Sequence, residues 1–207
     1  MRYPSLKKPE VIVNQDNDRE IVLAIQHNTD RDAFEKLLDR YQDKVYQFCF
    51  RFTGNREDAA DCSQEIFIKL YQRIRQFNHK SKFSTWLYRI MINTCQDMVK
   101  SKSYKYSKQS VEIGQPETDN AGIQIPAPES SDPEKTMQHK EIQLWFQKTL
   151  MKLREMQRIV LIMRDVEGKS YEEIARATSL NIGTVRSTLA RARYFMAEQL
   201  KTFRDEM

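Results

Sequence analysis

The chain has 207 residues, with 34 Lys and Arg against 29 Asp and Glu, a net charge of +5, and only five glycines and six prolines. That length suits one or two domains, and abundant charge with so little glycine indicates an all-α fold. No apolar run approaches the about 18 residues of a membrane span, and the opening MRYPSLKKPEVIVN is too polar for a signal peptide.

Residues 1–15 carry no clear pattern and are expected to fray. DNDREIVLAIQHN (residues 16–28) then reads as a short helix behind acidic and Asn capping candidates. In DRDAFEKLLDRYQDKVYQFCFRFTG, Phe34, Leu37, Tyr41, Val45, Phe48 and Phe52 recur at helical spacing, and Gly54 is placed to end the helix. A third helix, REDAADCSQEIFIKLYQRIRQF, turns Ala59, Ile66, Phe67, Leu70 and Ile74 inward. Asp61, Gln64 and Glu65 share another face, either a solvated cluster or a docking patch for a basic partner.

The polar loop NHKSKF carries Lys80 and Lys82 and leads into a fourth helix, FSTWLYRIMINTCQDMVKSKSYKYSK. Leu87, Ile90, Met91, Thr94 and Met98 form its buried stripe. Trp86, Arg89, Asn93, Gln96 and Lys100 lie opposite, and Lys102, Tyr104, Lys105, Tyr106 and Lys108 continue the mixture. Aromatic, amide and cationic groups on one face suit melted nucleic acid: rings stack on bases, amides meet base edges and cations hold phosphates. Trp86 can equally serve to cap the core.

Charge divides the chain into three. Residues 1–108 carry +6, residues 109–134 carry −6 with no basic side chain, and residues 135–207 carry +5. The acidic stretch holds four of the six prolines and two of the five glycines and has no helical period, so it reads as a linker. Stretched out, its 26 residues would span about 90 Å, enough to hold two domains on well-separated sites. A passive tether would have the same composition.

KSYEEIARATSLNIGTVRSTLARAR, near the end, reads as helix, turn and helix. Ser170 and Glu173 are spaced as a capping box, TSLN is turn-like, and Asn181 can cap the second helix. Ile174 and Ala175 face inward on the first helix, and Val185, Leu189, Ala192 and Met196 on the second. Ser187, Ala190, Arg191 and Tyr194 point outward, with Arg186 and Arg193 on the flanks. A merely solvated face interleaves its cations with glutamates; this one has none, which favours contact with DNA.

Cys49, Cys62 and Cys95 are odd in number and lack a CxxC pair, while His27, His79 and His139 are isolated. Reduced core thiols fit that spacing better than a disulfide framework or a zinc site. No Gly-rich phosphate loop, metal-ligand set or nucleophile–base pair is apparent, so neither catalytic residue, metal nor cofactor is expected.

DCSQEIFIKLYQ, FSTWLYRIMINTCQD and MRDVEGKSYEEIARATSLNIGTVRSTLARAR, in this order around an acidic linker, resemble the sigma-70 family. The likeness is to its small bacterial extracytoplasmic-function (ECF, group IV) members, and it covers about residues 18–108 and 134–203. The resemblance implies two small helical domains: sigma domain 2 over 1–108, a helical bundle, and sigma domain 4 over 134–207, a helix-turn-helix. A flexible acidic linker over 109–133 joins them. It implies that Asp61, Gln64 and Glu65 dock on the β′ clamp helices of core RNA polymerase, with a second contact to its β flap. Lys80, Lys82, Trp86, Arg89 and Asn93 would melt and read the −10 element. Arg186, Ser187, Ala190, Arg191 and Arg193 would face the −35 element.

The resemblance further implies a cytoplasmic protein, monomeric when free, that performs no covalent chemistry and answers to a separate anti-sigma factor. The sequence departs from the family's pattern at KLREMQRIV, where Leu-Pro is frequent, at Ile182, and at Thr188 and Ala190, where larger or basic side chains are common. These departures bear on which −35 sequence is read. An ordinary helix-turn-helix regulator would instead bind duplex DNA alone and as a dimer. A nucleic-acid-processing enzyme would need Asp61 and Glu65 as metal ligands.

Overall fold

The computed structural model describes residues 15–109 and 133–205, with side chains over 18–101 and 141–205. The opening fourteen residues, the acidic linker and the side chains of the Lys102–Lys108 run lie outside the described residues. Among the described residues every regular element is helical.

Four helices build the first block: α1 (Gln15–His27), α2 (Ala33–Thr53), α3 (Arg56–Arg73) and α4 (Phe83–Gln109). α2 buries Leu37, Tyr41, Val45, Phe48 and Phe52 as its spacing predicts, and it stops at Gly54 with φ +83°. That left-handed conformation lets the Gly54 N–H return to Phe50 O at 2.9 Å. A Cβ here would also lie 2.7 Å from Met151 Sδ in the second block, so the glycine serves packing as well as the turn. α1 is fastened to α2 by Asp18, which is buried and accepts from Tyr41 Oη at 2.5 Å and from Arg40 Nη1 at 2.7 Å.

α3 begins at Asn55, whose side chain accepts from Asp58 N at 2.8 Å. It buries Ala59, Ile66 and Leu70, with Ile74 in the 3-10 turn that follows, whereas Phe67 is only half-buried. Phe34, expected in the core, is half-buried at the edge, its ring 5.0 Å from Tyr71. α4 is the central helix. Besides Leu87, Ile90, Met91 and Thr94 it buries Tyr88, Ile92 and Cys95, because it is covered on more than one side; Met98 is half-buried.

The second block comprises α5 (Pro133–Lys152), α6 (Glu155–Leu161), α7 (Tyr171–Thr178) and α8 (Ile182–Asp205), with a π-helical turn (Ile162–Val166) prolonging α6. Ser170 and Glu173 form the capping box expected of them: Ser170 Oγ accepts from Glu173 N at 3.1 Å and Ser170 N donates to Glu173 Oε2 at 2.9 Å. Ala177 rather than Ala175 is the buried partner of Ile174, being one turn on, while Ala175 is half-buried. The turn closes at Ser179, φ +59°, and Asn181 Oδ1 accepts from Thr184 N at 2.7 Å to start α8.

The two blocks share one continuous apolar core and pack directly, α4 against α7 and α2 against α5. Polar ties reinforce the junction. Gln147 Nε2 donates to Phe50 O at 3.1 Å, and Arg158 Nη1 to Phe52 O at 2.5 Å.

Candidate nucleic-acid interface and docking surface

α8 presents the acid-free face that its sequence predicts. Val185, Leu189, Ala192 and Met196 are buried, while Arg186, Ser187, Ala190, Arg191 and Tyr194 are exposed, Tyr194 by 70%. Arg186 lies over the Tyr171 ring, 5.5 Å from its centroid, and Arg164 approaches the same ring at 4.8 Å. This stacking holds Arg186 at the mouth of the helix-turn-helix. Arg191 Nε donates back to Ser187 O at 3.3 Å. Two positions of this helix stand apart from the open face. Thr188 is buried, because it stands three residues beyond Val185, so it presents nothing to a partner. Arg193, the flank residue, is engaged by Asp165 through both Nε, at 2.9 Å, and Nη2.

The α4 face is assembled from two elements. Trp86 is half-buried in a cluster with Phe77 and Phe83, ring centroids 5.1 and 5.9 Å away, so its indole both closes the core and shows an edge to solvent. Lys80, Lys82, Arg89, Asn93 and Lys100 are exposed. The loop before α4 is held by Gln26, a residue the sequence reading passed over. Its Nε2 donates to Ile74 O at 3.0 Å and Phe77 O at 2.8 Å, and its Oε1 accepts from His79 Nε2 at 2.8 Å. His79, seemingly isolated in sequence, thus helps to fix the loop at φ +56°. Further along, Lys69, Arg73, Asn93, Gln96 and Lys100 line an open groove of about 230 Å³ together with Ile90, Thr94 and the acid Asp97, which lies 3.9 Å from Lys69 Nζ. Amides and cations converge there as contact with unpaired bases and phosphates requires.

Arg89 is the exception on this face. Its Nη2 donates to Arg176 O of α7 at 2.8 Å, so the second block sits against one end of the face. Beside it, Tyr88 Oη donates to Glu167 Oε2 at 2.9 Å, and Lys44 and Arg51 approach the same carboxylate at 3.9 and 3.6 Å. Burial, together with the Glu167 charge, pushes the Tyr88 hydroxyl well above the usual tyrosine range and keeps it a donor.

On the outer side of α3, Asp61, Gln64 and Glu65 are exposed together. Ile68 and Tyr71 extend this face by one turn, and Tyr71 is 67% exposed. The i+4 and i+7 spacing of Ile68 and Tyr71 from Gln64 was visible in the sequence, but a helical period alone does not tell an outward apolar side chain from a core one. Glu65 pairs with Lys69 at 3.4 Å, leaving Asp61 as the more outlying charge.

The family model of Sigma-70 region 2 matches residues 37–104 and that of Sigma-70 region 4 matches residues 143–196. The chain is 35% identical to the RNA polymerase sigma-H factor of Pseudomonas aeruginosa, over 88% of its own length and 93% of that protein. It is 34% identical to the ECF RNA polymerase sigma factor SigW of Bacillus subtilis, over 83% and 91%. Its fold is similar to that of the sigma factor RpoE of Bartonella quintana, solved with the anti-sigma factor NepR. That match has TM-score 0.66 and 23% identity, over 82% of this chain and 98% of the other. It also resembles CnrH, solved with the cytosolic domain of CnrY, with TM-score 0.63 and 19% identity, over 89% and 97%. The chain belongs to the sigma-70 family, as a sigma factor of the extracytoplasmic-function type.

Proposed function

We propose that the two helical blocks divide one promoter between them, under the control of core RNA polymerase. Residues 1–108 act as domain 2 and residues 134–207 as domain 4, joined by the acidic segment 109–133. The observation that carries this reading is the exposed, acid-free face Arg186–Ser187–Ala190–Arg191 on the second helix of a fully capped helix-turn-helix. That face meets the −35 element in the major groove. Lys80, Lys82, Trp86, Arg89 and Asn93 engage the opened −10 strand, and Asp61, Gln64 and Glu65 with Tyr71 dock on the β′ clamp helices. The β flap meets domain 4. A sigma factor initiates transcription without covalent chemistry of its own, so specificity comes from two modest sites that polymerase holds at fixed separation.

The partners of the solved neighbours support regulation of this chain by a separate anti-sigma factor. No described helix is long and apolar enough to cross a membrane. The chain acts in the cytoplasm on this reading and is a monomer when free.

Run-off transcription over a fragmented genomic template, with core polymerase and with or without the chain, tests the reading. New, discrete starts sharing two upstream elements are expected. No gained starts, with a footprint on duplex DNA by the chain alone, would replace it by the ordinary regulator.

Two variants separate the surfaces. Arg191→Ala is expected to cost about 1–3 kcal/mol of base discrimination at one −35 position while leaving core binding intact. Transcription from a set of single-base −35 variants reads this, and an unaltered preference removes Arg191 from the site. Asp61→Lys with Glu65→Lys is expected to weaken core binding roughly tenfold or more, through like-charge contact with a basic partner. The Glu65–Lys69 pair lost in this variant joins an exposed carboxylate to a half-buried lysine at 3.4 Å and contributes little to folding. Undiminished co-purification with core polymerase would move the docking surface elsewhere.

A further inference from the structure

All three cysteines of the chain meet at one point. Cys49 comes from α2, Cys62 from α3 and Cys95 from α4, and all three are fully buried. Their Sγ atoms lie within 4.8 Å of one another, with Cys62 and Cys95 at 3.5 Å. Their spacing in sequence gives no hint of this meeting, because each belongs to a different helix.

The triangle has the dimensions of a sulfur-ligated metal centre. Bonds of about 2.3 Å place three sulfurs about 4.0 Å apart in a trigonal plane and about 3.8 Å apart on a tetrahedral face. The observed triangle, with one side of 3.5 Å and none above 4.8 Å, brackets both values. Thiolate ligands select soft ions, chiefly Cu(I) and Zn(II). A structural zinc site takes four ligands, and among the described residues no further His, Cys, Asp or Glu joins the group. Phe52, Ile66 and Met91, each one turn from a cysteine on its own helix, are buried and apolar. Such a pocket excludes the water that a fourth ligand would supply, which suits a soft ion content with three sulfurs, and the Lys69 cation, whose field reaches Cys62, partly offsets the −2 charge of a Cu(I) tris-thiolate.

We propose that Cys49, Cys62 and Cys95 hold one thiophilic d10 metal ion, with three-coordinate Cu(I) as the best fit, clipping α2, α3 and α4 together. Binding replaces thiol protons, which pass to solvent, and moves no electron: the ion enters and stays as Cu(I). Cys95 lies between Asn93 and Gln96 on α4, so the ion would fix the helix that carries the −10-reading face. Because the thiols are enclosed, the ion enters during folding rather than by diffusion into the finished core.

The test uses the full chain, refolded anaerobically with Cu(I) or, separately, Zn(II), then passed over a column with a competing chelator. About one equivalent of copper per chain is expected by elemental mass spectrometry, with a thiolate-to-copper ultraviolet band that saturates at the same point. Cys62→Ala and Cys95→Ala are expected to lose the retained metal while keeping the helical circular dichroism of the parent. If either variant fails to fold, thiol counting on the wild-type chain decides. Three thiols should alkylate in denaturant when apo, and none when loaded. Retention of zinc alone, with the thiols protected, would keep the metal site and overturn its three-coordinate copper form. Retention of neither ion, or equal retention after the thiols have been alkylated, would overturn the proposal.

Discussion

Replacing Arg158 with methionine is expected to lower the stability of the folded chain by about 3–5 kcal/mol, a large part of what a domain of this size possesses. Arg158 is only 7% exposed. Its guanidinium donates from Nε to Leu150 O (2.9 Å), from Nη1 to Phe52 O (2.5 Å), and from Nη2 to Met151 O (2.9 Å) and Leu153 O (3.0 Å). Phe52 lies in the last turn of α2 and the others at or just past the end of α5, where the last carbonyls lack i+4 partners; of these, Leu150 O also accepts a backbone N–H, from Leu153 at 3.1 Å. One cation therefore terminates two helices of different blocks, in the place where their dipoles favour positive charge. Methionine fills most of the stem's volume, so the loss is one of hydrogen bonds rather than of packing. Arg158→Lys retains the charge, but a single ammonium cannot span four carbonyls, and it should recover less than half of the loss. Urea unfolding followed by circular dichroism measures this as a shift in midpoint at unchanged slope. A loss below about 1 kcal/mol would mean that water reaches the carbonyls and replaces the guanidinium.

That role of Arg158 was not legible in KLREMQRIV, and the reason is general to the molecule. Local rules accounted for what local physics decides: the capping box at Ser170 and Glu173, the Asn181 cap, the glycine stop at Gly54, and the inward stripe of α8. They also placed Arg186, Ser187, Ala190 and Arg191 outward, because one helix against one core leaves little choice. They failed where a side chain answers to something distant. Tyr88, Glu167 and Gln147 act across the junction of the two blocks, at separations such as the 79 residues between Tyr88 and Glu167. Gln26 and His79 act on a loop 53 residues apart in sequence. The three cysteines meet from three helices. Thr188 shows a milder form of the same limit, since the width of a buried stripe depends on how many elements cover it.

Glu167→Gln is expected to separate the two blocks without unfolding either. The Glu167 carboxylate is 12% exposed and is the acid that Tyr88, Lys44 and Arg51 all approach. Lys169 adds a third cation nearby, 4.9 Å from the Tyr88 ring centroid, and burial together with Lys44 already lowers its proton affinity. Glutamine still accepts from Tyr88, but it leaves these cations facing one another across a half-dry junction. Removing one partner of a buried pair costs about 3–5 kcal/mol, reduced here because Lys44 and Arg51 keep about a quarter of their side-chain exposure. The packed arrangement therefore becomes a minority state. Two elements centred about 25 base pairs apart lie about 85 Å apart along a duplex at 3.4 Å per base pair, so promoter binding requires the blocks to part. A variant that is already parted should bind core polymerase more tightly, by the inverse of the wild-type open fraction. Small-angle scattering should show a larger radius of gyration at unchanged helical content, and titration with core polymerase should show the matching gain in affinity. Identical scattering and affinity would mean that the apolar contact of α4 with α7, not the Glu167 ion pairs, holds the blocks together.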